Sequence, residues 1–209
     1  MEKMERPKTI GGFAGLLFED GDLLLQIRTE KGSVFGPDDE KYRFNWELSG
    51  GKVEETNVMK ALTLEVLTKN IAREVREELG IRIISFPRRP AIYLATYVNE
   101  ERGVNDWALT VPIFQECWKM PKKLKREIIK VNTDKLTELA NNHPGKGQLV
   151  SGFGKRMHRM SSGTLYTGSN LTSRRKAEIL LCQIKPDWRE TEYSDNAEEF
   201  LAKLRKEIS

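Results

Sequence analysis

The stretch "AREVREELGI", Ala72 to Ile81, decides how the rest of the chain is interpreted. It places Glu74, Glu77 and Glu78 at positions i, i+3 and i+4 of a helical pattern. Residues three and four apart lie on the same face of an α-helix, so these carboxylates fall within one turn of each other. Such a cluster offers the oxygen ligands that a hard divalent cation such as Mg²⁺ takes, while a solvated acidic helix face is the alternative.

The acidic stretch ends a longer segment that is predicted to form one continuous helix. Between Asn57 and Leu79 the chain contains no glycine or proline, and its apolar residues recur at intervals of three and four. Asn57 or Thr56 is placed to cap the start of the helix, and Gly80 to end it in the left-handed conformation. The apolar stripe consists of Leu64, Leu67, Ile71, Val75 and Leu79.

Strand patterns lie on both sides of this helix, which predicts a mixed α/β architecture. The segment "GGFAGLLFEDGDLLLQIRT" has two apolar runs around an Asp-Gly turn and predicts a β-hairpin. The tail after residue 140 has two helical patterns, "SRRKAEILLCQIK" and "SDNAEEFLAKLRKEIS". Between helix and tail, the predicted strands are "IRIISF", "AIYLATYVN", "WALTVPIFQECW" and "EIIKVN", followed by a short helix, "TDKLTELA".

Composition predicts a single intracellular globular domain. The 209 residues are 38% hydrophobic and 32% charged, with no apolar run long enough to cross a membrane and no apolar signal in "MEKMERPKTI". We therefore expect a cytoplasmic protein with no membrane partner. Cys117 and Cys182 lack metal-ligand spacing and are expected to be buried free thiols. The 35 basic and 31 acidic residues give a net charge of +4, which tolerates a polyanion but does not indicate one.

The segment before the helix, "WELSGGKVEE", adds a second signal. Glycines 50 and 51 let the backbone approach a ligand closely and can offer a carbonyl to the same cation. Together, "GGKVE" and "REVREELGI" resemble the Nudix box, in which glycine, five residues, glutamate and seven residues precede R-E-U-x-E-E-x-G-U with U aliphatic. The second half matches at every fixed position: Arg73, Glu74, Val75, Glu77, Glu78, Gly80 and Ile81.

This resemblance implies the Nudix fold, an α/β/α sandwich with a mixed β-sheet. It covers residues 10 to about 140, so we expect one domain over residues 1–209, with a core at about 10–140 and a helical C-terminal extension at about 141–209. The last third of the chain matches no family pattern.

The first half of the box departs from the family spacing. The pattern places its glycine 14 positions before the arginine, whereas Gly51 precedes Arg73 by 22, an excess of eight. Either Glu65 keeps the role of the first box glutamate after an insertion, or Glu54 or Glu55 replaces it from the loop. The apolar stripe predicts that the extra residues lengthen the helix at its start, in which case Glu65 faces away from the other carboxylates.

The resemblance also implies a reaction, the metal-dependent hydrolysis of a pyrophosphate bond in a nucleoside diphosphate linked to another group. The cofactor would be Mg²⁺ or Mn²⁺. Glu74, Glu77, Glu78 and the Gly51 carbonyl would be metal ligands, and Arg73 would make an orienting ion pair, completing the expected catalytic set of Arg73 and the three glutamates. Glu116 and Glu127 are the candidates for a general base.

The sequence indicates little about the substrate. Tyr97 lies 16 residues after Ile81, roughly where a tyrosine follows the box in Nudix enzymes that resemble dinucleoside polyphosphate hydrolases. Trp46 and Trp107 are aromatic residues that could stack on a base, although core packing is the favoured interpretation of both. A Nudix-fold nucleotide-binding or nucleic-acid-binding module without catalysis is the alternative function. Nucleic acid is the less favoured partner, and a homodimer is compatible with the sequence, which does not determine the oligomeric state.

Overall fold

A mixed β-sheet forms the centre of this computed structural model, which describes residues 6–20, 22–27, 46–99, 104–131 and 188–209. Within those ranges, eight strands form the main sheet in the order β10-β6-β7-β1-β2-β3, with β4 paired to β1 and β9 paired to β2. A separate two-stranded sheet joins β5 and β8. The strands are β1 Thr9–Leu17, β2 Leu23–Ile27, β3 Trp46–Glu47, β4 Ser49–Lys52, β5 Arg82–Ile83, β6 Ile92–Asn99, β7 Val104–Phe114, β8 Trp118–Lys119, β9 Ile128–Val131 and β10 Trp188–Ser194.

The predicted hairpin and the mixed character of the sheet are confirmed. Strands β1 and β2 pair antiparallel next to the turn, with Leu17 opposite Leu23. β1 runs parallel to β7 along its whole length, while its pairing with β4 is antiparallel and places Gly51 opposite Gly12. The double glycine therefore lies in a strand beside β1, where the sequence indicated a loop.

The predicted continuous helix is wrong, because the chain forms two helices with a break between them. Helix α1 spans Val58–Ala61 and helix α2 spans Leu64–Glu78. Thr63 is extended, with φ −104° and ψ 145°, and its hydroxyl accepts a hydrogen bond from the Val66 backbone and donates one to the Lys60 carbonyl. A helical pattern that contains no glycine or proline can thus still be interrupted by a threonine that caps the next helix. Residues 57–63 therefore form a short helix and a capped break.

The start and end signals of the helical region were identified correctly. Asn57 caps α1 by accepting a hydrogen bond from the Lys60 backbone N–H at 3.2 Å. Gly80 follows α2 with φ 76°, the left-handed conformation expected for a residue that ends a helix.

The core lies between one face of the sheet and the helices α2 and α3, the latter spanning Ala197–Glu207. The even-numbered residues of β1 face α2, since a Cβ on Gly12 would contact Leu67 and Ile71. Residues from α3 belong to the same apolar cluster as those from α2. The apolar residues that α3 contributes are Ala197, Phe200, Leu201, Leu204 and Ile208.

The C-terminal segment is thus part of the core, which extends beyond the expected limit near residue 140. The helix at 197–207 was predicted, but β10, which pairs with β6 at the sheet edge, was not. "WRETEYS" is mostly polar, so it lacks the apolar alternation that indicates a strand. The predicted helices at 133–140 and 173–185 lie outside the described residues, as does Cys182.

Smaller predictions have mixed outcomes. The strand predicted at "IRIISF" is limited to Arg82–Ile83, and the long apolar pattern at 107–118 ends as a strand at Phe114, followed by a 3₁₀ turn at Gln115–Cys117. Cys117 is a buried free thiol, as expected. Trp107 is a core residue with 1% of its surface exposed, so the core interpretation of this tryptophan is confirmed.

Candidate functional site

The double glycine brings the β4 backbone directly against α2. Gly50 has φ 155°, and a Cβ there would lie 2.6 Å from the Phe13 Cα, so only glycine fits between β4 and β1. A Cβ on Gly51 would lie 2.8 Å from Glu74 Oε1 and 2.9 Å from its Cδ. The Glu74 carboxylate therefore occupies the space that a side chain at position 51 would fill.

Glu74 is the half-buried carboxylate at this point of contact, and 16% of its side chain is exposed. Burial raises its pKa most, the adjacent Arg73 opposes this, and the negative charges of Glu78 and Glu77 raise it further, so that the pKa lies above its usual value. Arg73 donates to its Oε1 at 2.6 Å. Glu74 is thus held in place by an arginine while its environment disfavours the charged form.

Arg73 is the centre of a wider network of acceptors. Its NH2 also donates to Asn70 Oδ1 at 3.0 Å and lies 3.4 Å from Glu54 Oε1, while its NH1 donates to Glu77 Oε2 at 2.8 Å. Burial lowers the pKa of Arg73, but the charges of Glu74, Glu54 and Glu77 outweigh this effect and raise it. Arg73 forms ion pairs with Glu54, Glu74 and Glu77, and its orienting role stays a prediction. Glu77 is the exposed member of the set, with 58% of its side chain accessible.

Glu78 is the most completely hydrogen-bonded of the three glutamates. Its Oε2 accepts from Gln26 Nε2 at 2.8 Å, from Ser49 Oγ at 2.7 Å and from the Gly50 backbone N–H at 3.0 Å. Its Oε1 accepts from Arg126 NH1 at 2.9 Å. These bonds connect α2 to β2, to β4 and to the segment before β9. They also occupy most of the acceptor capacity of the carboxylate.

Glu74, Glu77 and Glu78 therefore share one helix turn, but their carboxylates do not point to a common position. No group of three His, Cys, Asp or Glu side chains that could hold a metal ion occurs within the described ranges. Glu74 and Glu77 are each turned toward Arg73, and Glu78 is held by Arg126 and the β2 and β4 donors. The set of metal ligands expected from the sequence stays a prediction.

The chemistry of the donors nevertheless fits a hard divalent cation. Glu74 and Glu78 supply carboxylate oxygens, and Gly51, whose backbone is in close contact with Glu74, has a carbonyl that accepts a hydrogen bond from Asn70 Nδ2 at 3.4 Å. Gln26 Oε1 is buried next to Glu78 and has no hydrogen-bond partner among the described residues. Oxygen donors of this kind are those that Mg²⁺ and Mn²⁺ accept.

The charge balance of the network also suits such a cation. The carboxylates of Glu54, Glu74, Glu77 and Glu78 are paired with the guanidinium groups of two arginines, Arg73 and Arg126. Among the described residues, these four carboxylates outnumber the two guanidinium groups, and a bound cation would add positive charge to the cluster.

The candidates for the first box glutamate occupy different places. Glu65 has 75% of its side chain exposed and forms an ion pair with Lys69 at 2.6 Å, so it is not in contact with Glu74 or Glu78. The Lys69 hydrogen bond lowers its pKa. Glu55 accepts a hydrogen bond at 2.9 Å from the backbone N–H of Asn57, the residue that caps α1. Of the three, Glu54 alone contacts the network, through Arg73.

The two candidates for the general base, Glu116 and Glu127, lie in different parts of the structure. Glu116 lines a cavity of about 840 Å³ at the ends of β6 and β7, and no glutamate of α2 lines that cavity. Its lining residues are Pro87, Arg88, Arg89, Ala91, Pro112, Phe114, Glu116, Cys117 and Asp195. Glu127 is exposed and immediately follows Arg126, the residue bound to Glu78. Glu127 is thus next in sequence to a residue that contacts Glu78, whereas Glu116 lines a separate cavity.

The predicted substrate contacts are not tested by the structure. Tyr97 is a β6 residue and Trp46 a β3 residue, but their side chains lie outside the described part of the chain.

Four site residues were missed at the level of sequence: Gln26, Ser49, Asn70 and Arg126. Gln26 had a detectable signal, because it is the polar residue that ends the apolar run "LLLQ" and is fully buried in the structure. Ser49 directly precedes the double glycine, and its contact with Glu78 had no signal of its own in the sequence. Arg126 had no local signal, since its partner lies 48 residues earlier in the chain.

No protein-family model matches the chain, and no curated protein matches it. Several solved structures resemble it. A crystal structure of a MutT NUDIX hydrolase from Burkholderia pseudomallei is 20% identical, with a TM-score of 0.42 over 63% of this chain and 87% of that chain. A MutT protein from Methanosarcina mazei Go1 is 22% identical, with a TM-score of 0.42 over 65% and 84%. A MutT protein from Bacillus halodurans is 13% identical, with a TM-score of 0.45 over 89% and 97%.

Identities and TM-scores this low transfer no activity to the chain. Among the described residues, none of the helices is long and apolar enough to cross a membrane.

Proposed function

We propose that the chain is a Nudix hydrolase that uses Mg²⁺ or Mn²⁺ to hydrolyse a pyrophosphate bond in a nucleoside diphosphate derivative. The observation that carries this proposal is the contact between the two halves of the box. Gly51 of β4 and Glu74 of α2 meet so closely that a Cβ at position 51 would collide with the carboxylate. This contact between the two segments that resemble the box supports the proposal.

The chain's own residues have distinct tasks in this proposal. Glu74, Glu78 and the Gly51 carbonyl hold the cation, which when bound neutralises phosphate oxygens and makes a coordinated water easier to deprotonate. Arg73 fixes the Glu74 carboxylate through Oε1. Glu127, exposed beside Arg126, accepts the proton of the attacking water.

The test is a turnover assay on the full chain. The protein is incubated with Mg²⁺ or Mn²⁺ and nucleotide sugars, ADP-ribose, dinucleoside polyphosphates or nucleoside triphosphates, and the phosphate products are separated by ion exchange. We expect turnover of at least one substrate, which chelation of the metal abolishes. Glu78→Gln should lower the rate by at least about 100-fold, since charge stabilisation is the main task of such a site.

Glu198→Gln is the matched control, because Glu198 is an exposed glutamate of α3 outside the site. Its rate should equal that of the wild type. If Glu78→Gln keeps a near-native rate while the protein is active, the catalytic site lies elsewhere.

A binding module without catalysis is the second candidate, and one observation favours it. Glu74, Glu77 and Glu78 are each paired with an arginine, so their negative charges are already compensated in part without a cation. Binding of the same nucleotides without turnover of any, measured by calorimetry, would support this second function.

A further inference from the structure

The Glu78–Arg126 ion pair is buried at the point where the proposed cation would bind. Only 13% of the Glu78 side chain and 11% of the Arg126 side chain are exposed. Arg126 NH1 donates to Glu78 Oε1 at 2.9 Å. An ion pair this well shielded from water is stronger than a surface pair, because solvent screens it less.

The other oxygen of Glu78 is not available as an alternative. Oε2 already accepts three hydrogen bonds, from Gln26, from Ser49 and from the Gly50 backbone. A cation that approaches Glu78 must therefore use Oε1. That is the oxygen that Arg126 holds.

We infer that Arg126 is an internal competitor of the divalent cation for Glu78, an inference that rests on the proposed function. In the absence of the metal, the guanidinium group neutralises the buried carboxylate. When the metal binds, Glu78 Oε1 exchanges its arginine for the cation, and the Arg126 side chain leaves the carboxylate. Metal binding is thereby coupled to a movement of one arginine, whose charge lowers the affinity of the site for the cation.

Mn²⁺ binding measured by electron paramagnetic resonance tests this inference without any substrate. Arg126→Gln should bind Mn²⁺ at least about fivefold more tightly than the wild type, because a charge-assisted hydrogen bond no longer has to be exchanged. In a Glu78→Gln background, the same Arg126→Gln change should leave Mn²⁺ affinity unaltered, since the group for which they compete is gone.

Lys125→Gln is the charge-matched control. Lys125 is the neighbour of Arg126, but its Nζ donates to the Arg76 and Glu77 carbonyls at the end of α2 and not to Glu78. Its loss should change Mn²⁺ affinity less than twofold, as expected for an exposed charge. If Lys125→Gln and Arg126→Gln changed Mn²⁺ affinity equally, the change in net charge alone would explain both effects, and the inference would be overturned.

A second measurement uses the wild-type chain, in case Arg126→Gln does not fold. The arginine side-chain N–H signals are recorded by NMR during a Mg²⁺ titration, and Arg126→Lys identifies the Arg126 signal by its loss. Competition predicts that this signal shifts as the site fills.

An Arg126 signal unchanged at saturating Mg²⁺, or weaker Mn²⁺ binding by Arg126→Gln, overturns the inference and leaves the proposed function intact. Absence of metal binding by the wild type and the variants alike overturns both.

Discussion

At the scale of single residues, the position of the Glu74 carboxylate requires glycine at position 51. The carboxylate stands where a side chain at position 51 would stand, and Asn70 lies between Arg73 and the Gly51 carbonyl. The glycine is therefore needed for space and the glutamate for charge. A substitution at either position should change the site while leaving most of the core packing unaltered.

Gly51→Ala should separate catalysis from folding. Its Cβ would lie 2.8 Å from Glu74 Oε1, and the carboxylate, as the end of a flexible side chain, has to move. A displacement of about 1 Å can cost on the order of 100-fold in rate. We expect turnover to fall by at least about tenfold, with little change in the melting temperature.

Gly50→Ala is the control for this prediction. There the Cβ would meet the backbone of Gly12 and Phe13 at a φ of 155°, so the melting temperature should fall as well. Equal losses of stability in both variants would contradict the assignment of Gly51 to the site.

Glu74→Gln predicts a pH-dependent stability difference in the absence of metal. Because the pKa of Glu74 is raised in the folded protein, chiefly by burial, the folded state favours the protonated carboxyl. The stability that the protonated carboxyl contributes is present at low pH and is lost as pH rises through the raised pKa. We expect Glu74→Gln to melt at a higher temperature than the wild type at neutral pH, with the difference shrinking as pH falls through the raised pKa and closing near the ordinary glutamate value of about 4.3.

Thermal melts in a chelator from pH 4 to pH 8 provide the measurement. Glu198→Gln, an exposed change on α3, should show no such convergence. A wild type that is more stable than Glu74→Gln at neutral pH would mean that the Arg73 pair outweighs the burial of Glu74.

At the scale of secondary structure elements, the sequence predicted those whose signals are local. The apolar stripe indicated the helix that became α2, and Gly80 marked its end. The break at Thr63 was missed because helical periodicity continues across it, and a threonine hydroxyl can cap a helix within such a pattern. Strand β10 was missed because "WRETEYS" owes its pairing to β6, which is distant in sequence.

The site shows the same division between local and long-range signals. Glu74, Glu77 and Glu78 could be placed on one turn because helix geometry fixes their spacing. Their final partners could not be predicted, since Arg126 lies far along the chain from Glu78. Helix periodicity indicates which residues share a face, but it does not indicate which other element approaches that face.

The broken helix yields a prediction about Glu65 and Glu54. Glu65 is exposed at the start of α2 and pairs with Lys69, whereas Glu54 contacts Arg73. Glu65→Gln should keep turnover within about twofold of the wild type, because exposed ion pairs contribute little. Glu54→Gln should lower turnover roughly tenfold, as expected for a residue that does not bind the metal but contacts the partner of a metal ligand. Steady-state rates at saturating Mg²⁺ test both, and the reverse order would restore Glu65 as the box glutamate.

At the scale of the whole molecule, the two ends of the described chain close the core around α2. Arg6 Nε donates to the Ile208 carbonyl at 2.8 Å, and Arg205 NH1 donates to the Leu62 carbonyl at the break between α1 and α2, also at 2.8 Å. The Ala197 backbone N–H bonds to the Pro90 carbonyl before β6 at 2.9 Å. The C-terminal helix therefore supports the segment that positions the glutamates without contributing a residue to the site.

Leu201→Ala should destabilise the fold without changing the chemistry. Leu201 is fully buried in the cluster that joins α3 to α2, and a leucine-to-alanine change in such a position costs about 2–5 kcal/mol of unfolding free energy. Urea unfolding measures this loss, and Lys206→Ala, an exposed change on the same helix, should cost less than about 0.5 kcal/mol. Below its melting range, Leu201→Ala should keep the turnover and Mn²⁺ affinity of the wild type, because α3 supplies no side chain to the carboxylate network. A loss of Mn²⁺ affinity in a folded Leu201→Ala protein would show that α3 sets the geometry of the site.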